Sequence, residues 1–148
     1  MTRPIIVLAE DHADTCDLYS QLLDRAGYDV RVATTGDAAL QLVCQVRPAA
    51  VVLDIGLPGI DGIEICARIR QHGWFSNLPI IAVSGWLGAG HRVDHLARAS
   101  FSELFGKPVD TRELLAAVQR WAPSTSSPSS MRARPAALGP APTPWMGS

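Results

Sequence analysis

Residues 50–62 read AVVLDIGLPGIDG. The first four residues are continuously apolar, which is typical of a central strand that is covered on both faces of a parallel sheet. Asp54 ends this run, and the Gly and Pro residues after it predict a turn. Asp61 and Gly62 are then expected to complete the turn and begin a helix. The stretch therefore predicts a buried strand, Ala50–Asp54, that ends in a carboxylate.

Similar apolar runs lie before and after this strand. We predict further strands over Ile5–Ala9, Asp29–Ala33, Ile80–Ser84 and Glu103–Gly106. Between them, apolar residues at helical spacing predict helices over residues 14–25, after Thr35, over 62–71, over 88–100 and after Asp110. Helices that alternate with short apolar strands predict an α/β protein with a parallel sheet. The second and fifth strands are the least apolar, so we expect them at the edges.

The sequence changes character at residue 122. From there it consists mainly of Ser, Thr, Pro, Ala and Gly, which bury too little apolar surface to offset the entropy of an ordered backbone. We therefore expect a folded domain over residues 1–121 and a disordered Pro/Ser/Ala-rich tail over 122–148. The tail is also too poor in apolar residues to form an effector domain, so a stand-alone domain is expected.

Charge and composition exclude two classes of partner. A formal net charge of -1 at pH 7 provides no basic surface to neutralise phosphates, so no nucleic-acid partner is expected. No run reaches the roughly 18 to 20 apolar residues of a membrane-spanning helix, so no membrane partner is expected either. Cys16, Cys44 and Cys66 form neither an even disulfide framework nor a closely spaced metal pair. We predict that they are buried thiols in a reducing cytoplasm.

Polar side chains stand at the carboxyl ends of the predicted strands, where open α/β sheets bind ligands. Glu10 and Asp11 follow the first strand, Asp54 ends the third, Ser84 ends the fourth, and Lys107 follows the fifth. Three adjacent carboxylates repel one another and need a cation, and hard oxygen ligands suit Mg²⁺. One carboxylate can then attack phosphorus while the ammonium and hydroxyl groups bind the transferred oxygens. The set predicts phosphoryl transfer onto an aspartate.

Lys107 is the only lysine in the chain, whose other twelve basic residues are all arginine. A retained lysine indicates a position that needs a compact point charge rather than a planar fork. Pro108 adds weight to this interpretation, because it restricts the backbone of Lys107 to extended conformations.

In this order, the motifs resemble the receiver domain of response regulators in two-component signal transduction. The matching stretches are VLAED at 7–11, LDIGLPGIDG at 53–62, VSG at 83–85 and GKP at 106–108. The resemblance extends over nearly all of residues 5–121, and it is to a stand-alone, CheY-like receiver. The resemblance implies a flavodoxin-like fold, a doubly wound five-stranded parallel sheet with strand order 2-1-3-4-5 and five helices.

The resemblance also implies roles for the residues at the strand ends. Asp54 would be the phosphoacceptor, and Mg²⁺ would be held by Asp11, Asp54 and the backbone carbonyl of Gly56. Glu10 would assist the metal through water. By the same resemblance, the Ser84 hydroxyl would bind a phosphoryl oxygen, and Lys107 would pair with the charge of the phosphate.

One position departs from the pattern of the family. Receivers commonly carry Tyr or Phe three residues before the lysine, whereas this chain has Leu104 there. Phe105 follows, and it would point to the opposite face of a regular strand. We therefore expect coupling to depend on Ser84 and the segment after it, where Trp86 is hypothesised to shape access for water.

The resemblance implies a signalling switch. A histidine kinase or histidine phosphotransfer protein would phosphorylate the aspartate, and the changed surface would act on a downstream protein partner. Such a protein is not a metabolic enzyme, since it catalyses only its own phosphorylation and dephosphorylation. A cytoplasmic location follows, and a weak homodimer is left open.

Three alternatives remain at this stage. A pseudo-receiver would be a phosphorylation-independent interaction module with an intact but unused pocket. The second alternative is an aspartyl-phosphate phosphatase of the haloacid-dehalogenase type. Such enzymes usually need a second Asp two residues after the nucleophile, and the Gly56 at that position counts against this alternative. DNA binding by Arg132 and Arg134 is the most remote.

Among single residues, Asp11 is also a candidate helix cap, and His12 is interpreted as a loop residue near the pocket rather than a catalytic one.

Overall fold

Five strands form one parallel sheet in the computed structural model, which describes residues 3–85 and 100–124. The strands are β1 (Ile5–Ala9), β2 (Asp29–Ala33), β3 (Ala50–Asp54), β4 (Ile80–Ser84) and β5 (Glu103–Gly106). Their order in the sheet is β2-β1-β3-β4-β5, and all neighbours are parallel. The flavodoxin-like prediction is confirmed, with the two least apolar strands at the edges.

Four α-helices lie within the described residues, and they alternate with the strands along the chain. They are α1 (Ala13–Arg25), α2 (Gly36–Val46), α3 (Gly62–Arg70) and α4 (Thr111–Trp121). A short 3-10 helix, Gly73–Phe75, precedes β4. None of these described helices is long and apolar enough to cross a membrane. Residues 88–99 of the predicted fifth helix, and Trp86, lie outside the described residues.

Polar side chains determine where three of the helices begin. Thr35, Asp61 and Asp110 each accept a hydrogen bond from a backbone N–H two or three residues further on, at 2.8–3.2 Å. These N–H groups have no partner inside the helix, so such caps stabilise helix ends by about 1 kcal/mol each. The helix starts predicted at Thr35, Asp61 and Asp110 are confirmed.

Alternate residues of each central strand pack on opposite faces of the sheet. In β3, Val51 and Leu53 pack with α2 and α3, whereas Ala50 and Val52 pack with α1 and α4. All four side chains are at most 1% exposed. Burial on both faces explains the continuously apolar sequence, because neither set of alternate residues faces water.

Arg70 connects three segments of the chain near the amino-terminal end of β4. Its Nε and one terminal nitrogen donate to the carbonyl of Ser100 at 3.0 and 2.7 Å. The other terminal nitrogen donates to the carbonyls of Phe75 and Leu78 at 3.1 and 2.6 Å. Burial lowers the pKa of Arg70. The guanidinium thus ties α3 to the residues that lead into β4 and β5.

Packing continues beyond residue 121. The Tyr28 hydroxyl donates to the carbonyl of Ala122, and Ala122 and Ser124 are 2% and 3% exposed. Residues 125–148, most of the expected tail, lie outside the described residues. The division of the chain into a domain over 1–121 and a tail stays a prediction.

The three cysteines differ in burial. Cys66 is buried in the core between the sheet and α3, as predicted. Cys16 and Cys44 are only partly buried, so the expectation of buried thiols is wrong for them. Both lie on amphipathic helices, where burial depends on which side of the helix a residue occupies.

Candidate functional site

The carboxyl ends of β1, β3 and β5 bring two carboxylates and an ammonium together. The Nζ of Lys107 lies 3.3 Å from Oδ2 of Asp54 and 3.4 Å from Oε1 of Glu10. Glu10 and Asp54 are only 2% and 6% exposed. Buried carboxylates are costly unless a cation or hydrogen-bond donors face them. The three residues therefore form one electrostatic unit, which we call the acidic pocket.

Asp11 adds a further carboxylate at the solvent side of this pocket. One donor atom from each of Glu10, Asp11, His12 and Asp54 lies within 4.8 Å of all the others. Oxygen donors at this spacing fit a hard divalent cation that retains some of its waters, as Mg²⁺ does. The N-cap position of α1 belongs to His12, so the structure does not support the alternative of Asp11 as the helix cap.

Gly56 contacts the predicted phosphoacceptor through its backbone. Its N–H donates to Oδ1 of Asp54 at 3.0 Å, while Oδ2 faces Lys107. One oxygen of Asp54 is thus oriented by the backbone and the other by a charge. The predicted metal contact of Gly56 is through its carbonyl, and that role stays a prediction.

The electrostatic environment shifts the pKa values of both partners. Burial raises the pKa of Asp54 above its ordinary value, the Gly56 N–H opposes this rise, and the charge of Glu10 adds to it. Burial lowers the pKa of Lys107, but Asp54 and Glu10 outweigh burial and raise it overall. The ammonium is therefore charged at neutral pH, and a further cation beside Asp54 favours its ionised form.

Ser84 lies at the same edge of the sheet. It ends β4, is 3% exposed, and its carbonyl accepts a hydrogen bond from the N–H of Lys107 at 2.9 Å. Val83, the residue before Ser84, is the partner of Asp54 in the parallel pairing of β3 and β4. The Lys107–Pro108 peptide bond is cis. The strand register thus places the serine next to both the aspartate and lysine segments.

Two glycines hold the loop that follows Asp54. A Cβ at Gly62 would lie 2.6 Å from Cα of Ile55, and a Cβ at Gly36 would lie 2.1 Å from the carbonyl oxygen of Ile60. Both separations are too short for any other residue without movement of the backbone. The close approach of Gly36 places the loop between β3 and α3 directly on the start of α2. The close approach of Gly62 to Ile55 explains the glycine at position 62.

His12 contacts the pocket more directly than the sequence indicates. Its backbone N–H and its ring Nδ1 both lie near Oε2 of Glu10, at 3.1 and 3.0 Å, and Nδ1 is 3.5 Å from Oδ1 of Asp11. The hydrogen bond with Glu10 raises the pKa of His12, and the charge of Asp11 adds to the rise. The one feature of the sequence that could have indicated this contact is the position of His12 two residues after Glu10.

The residues of β5 lie on the faces expected from the sequence. Leu104 packs with the α2 and α3 side of the core, and Phe105 packs with the α1 and α4 side. The position that is commonly aromatic in the family is therefore occupied here by an aliphatic side chain. Its effect on switching stays a prediction.

With this geometry established, comparison with known proteins decides the family. The sequence model of the response regulator receiver domain matches residues 6–119. The chain belongs to this family. Receiver domains bind Mg²⁺ in their acidic pocket, and the described residues of this receiver include such a cluster.

Three relatives show how far the similarity extends. The transcriptional regulatory protein GltR of Pseudomonas aeruginosa is 32% identical over 114 residues, which are 77% of this chain and 47% of GltR. An uncharacterized 14.6 kDa protein of Leptolyngbya boryana is 34% identical over 116 residues, 78% of this chain and 88% of its own length. This receiver therefore spans about half the length of GltR and most of the smaller protein.

The third relative is a solved structure, the receiver domain of a sensor histidine kinase from Pseudomonas aeruginosa PAO1. It is 28% identical, with a TM-score of 0.73 over 80% of this chain and 97% of that domain. That structure has a magnesium ion coordinated in its active-site cleft.

Proposed function

We propose that this receiver accepts a phosphoryl group on Asp54 from a histidine kinase or a histidine phosphotransfer protein, with Mg²⁺. One observation carries the proposal. The carboxylate of Asp54 is 6% exposed, ends a central strand, and faces the only lysine of the chain at 3.3 Å. The cation offsets the cost of burying this carboxylate, and it can also pair with the oxygens of a phosphoryl group that the carboxylate accepts.

The chemistry proposed for the pocket is a single displacement at phosphorus. A carboxylate oxygen of Asp54 forms the new O–P bond, the P–N bond of the donor phosphohistidine breaks, and its electron pair stays on the imidazole nitrogen. Lys107 pairs with the phosphoryl oxygens, and the Ser84 hydroxyl donates to one of them. Water later attacks phosphorus, releases inorganic phosphate and restores the carboxylate.

Asp11, Asp54, Glu10 and the carbonyl of Gly56 are the residues proposed to hold Mg²⁺. The clustered donor atoms of the three carboxylates support this assignment. When bound, the metal offsets the negative charge of the carboxylates and of the incoming phosphoryl oxygens. The N–H of Gly56 keeps one oxygen of Asp54 in a defined orientation before the reaction.

Output is proposed to occur through a downstream protein partner that distinguishes the two phosphorylation states. The proposal includes a cytoplasmic location, no nucleic-acid or membrane partner, and no metabolic reaction beyond self-phosphorylation and self-dephosphorylation. The near-neutral charge of the chain supports the absence of nucleic-acid binding. A weak homodimer is left to measurement by sedimentation.

The test is phosphorylation by a small donor. The full chain is incubated with Mg²⁺ and acetyl phosphate, quenched at several times, and its intact mass is measured. We expect one phosphoryl adduct in the wild type and none in Asp54→Asn, which keeps the shape of the side chain but removes the nucleophilic charge. Asp61→Asn is the matched control, because the Asp61 side chain caps α3 and asparagine can also cap a helix, and it should still be phosphorylated.

An adduct in Asp54→Asn would show that another residue is the acceptor. The absence of any adduct at every time point in the wild type would contradict the proposal and favour the pseudo-receiver. Continuous turnover of small phosphate esters would instead favour the phosphatase.

A further inference from the structure

Glu10 is held in the acidic pocket at its backbone and at one carboxylate oxygen. Its N–H donates to the carbonyl of Ala33 at 3.0 Å, and its own carbonyl accepts from the thiol of Cys16 at 3.1 Å. Oε1 faces the ammonium of Lys107 at 3.4 Å. The side chain is 2% exposed, so in the folded protein its second oxygen depends on donors from neighbouring residues.

Among the described residues, the hydrogen bonds to that second oxygen, Oε2, come from His12. The backbone N–H lies at 3.1 Å and the ring Nδ1 at 3.0 Å. Because a carboxylate only accepts hydrogen bonds, Nδ1 is the protonated ring nitrogen in this contact. The ring is 70% exposed, but its backbone is fixed, since the His12 carbonyl accepts the first hydrogen bond of α1, from Cys16 at 2.9 Å.

We propose that His12 is a positioning residue, whose ring holds the Glu10 carboxylate in the orientation that the pocket needs to bind Mg²⁺. With Oε2 held by His12, Oε1 stays beside Lys107, and the donor atoms of Glu10, Asp11 and Asp54 stay within 4.8 Å of one another. The residue acts on the metal through Glu10, as outer-shell partners of metal ligands do. The inference rests on the proposed function of the pocket.

Three substitutions separate the ring contact from the other properties of His12. Asn places an amide nitrogen close to the position of Nδ1, Gln places it close to the position of Nε2, and Ala removes both. Mg²⁺ affinity is measured on the full chain by isothermal titration calorimetry with the metal alone. We expect His12→Ala and His12→Gln to weaken binding about 10-fold, the lower end for outer-shell partners. His12→Asn should stay close to the wild type.

A double-mutant cycle tests whether the effect passes through Glu10. In Glu10→Met, both oxygen acceptors of the side chain are removed, so His12→Ala should cause no further loss of Mg²⁺ affinity. His72→Ala is the matched control and should bind Mg²⁺ like the wild type. It removes a histidine from the groove between α2 and α3 and not from the acidic pocket. Urea denaturation of each variant shows that affinities are compared among folded proteins.

Phosphorylation rates provide a second readout. With acetyl phosphate, His12→Ala should need about 10-fold more Mg²⁺ for half-maximal rate, while the rate at saturating Mg²⁺ stays near that of the wild type. The inference is overturned by wild-type affinity in His12→Ala, by rescue with Gln but not Asn, or by an equal loss in the Glu10→Met background. Failure of the wild type to form an adduct would contradict only the proposed function, since the Mg²⁺ titrations still decide the role of His12.

Discussion

Two partly buried cations lie at opposite ends of β4, and they bind different partners. At the carboxyl end, Lys107 faces two carboxylates at 3.3 and 3.4 Å. At the amino end, Arg70 donates to three backbone carbonyls at 2.6–3.1 Å. The arginine contacts are shorter and more numerous, and their partners are neutral.

The difference shows what each side chain contributes. The planar guanidinium presents several donors in fixed directions, so Arg70 can bind carbonyls from separate segments at once. The ammonium of Lys107 is a point charge at the long limit of hydrogen bonding, and it can pair with new oxygens without breaking a tight network. One cation stabilises the fold, and the other is placed where charge changes during the proposed reaction.

The largest expected effect follows from removing the structural cation. Arg70→Met should lower the free energy of unfolding by about 4 kcal/mol, because three carbonyls lose donors that cost about 1–3 kcal/mol each when missing. Arg68→Met on the same helix is the control. Its pair with Glu64 is exposed, and such pairs contribute at most about 1 kcal/mol. Urea denaturation measures both, and equal losses would contradict the structural role of Arg70.

The next largest effect concerns the pH dependence of stability and comes from the buried hydroxyl of Tyr28, a neutral donor to a backbone carbonyl. Burial raises the pKa of Tyr28 from 10.0 to about 12. The unfolded chain therefore loses this proton first as pH rises, and stability falls between about pH 10 and 12 by up to about 3 kcal/mol. Tyr28→Phe lacks the ionisable group and loses only the hydrogen bond to Ala122.

Denaturation from pH 8 to 12 should therefore show the wild type more stable than Tyr28→Phe at pH 8 and less stable at pH 12. A constant difference between the two proteins across this range would show that the Tyr28 hydroxyl is not desolvated as described.

The smallest of the three effects concerns the pocket cation. Without Mg²⁺, Lys107→Met should lower the free energy of unfolding by about 2 kcal/mol, less than a tight buried pair, because Lys107 is a quarter exposed. Added Mg²⁺ should reverse this loss, since it supplies positive charge to the same carboxylates. Arg70→Met should gain no more from Mg²⁺ than the wild type. Equal rescue of both variants would remove the distinction between the two cations.

The elements of the fold were largely predictable from sequence. The bounds of β3 follow from its apolar run, which Asp54 ends, and the start of α2 follows from Thr35. Both signals are local, because a few neighbouring residues determine them. The proximity of Asp54 and Lys107 was also predictable, since the carboxyl ends of parallel strands lie at one edge of the sheet.

The contacts of Arg70 and His12 were not predictable in the same way. Arg70 binds Ser100, which is 30 residues away, and helical spacing alone does not show that an arginine is directed inward. His12 could have pointed to solvent from the start of α1, and its contact with Glu10 depends on the rotamers of both side chains.

The amino-acid sequence by itself determines the strands and helices, the edge positions of β2 and β5, and the set of polar residues that meet at one end of the sheet. It does so because periodicity, capping and chain order are local properties. Only the tertiary structure decides which oxygen of Glu10 faces Lys107 and which faces His12. That choice depends on where packing of the core places Lys107, which is 97 residues from Glu10 in the sequence.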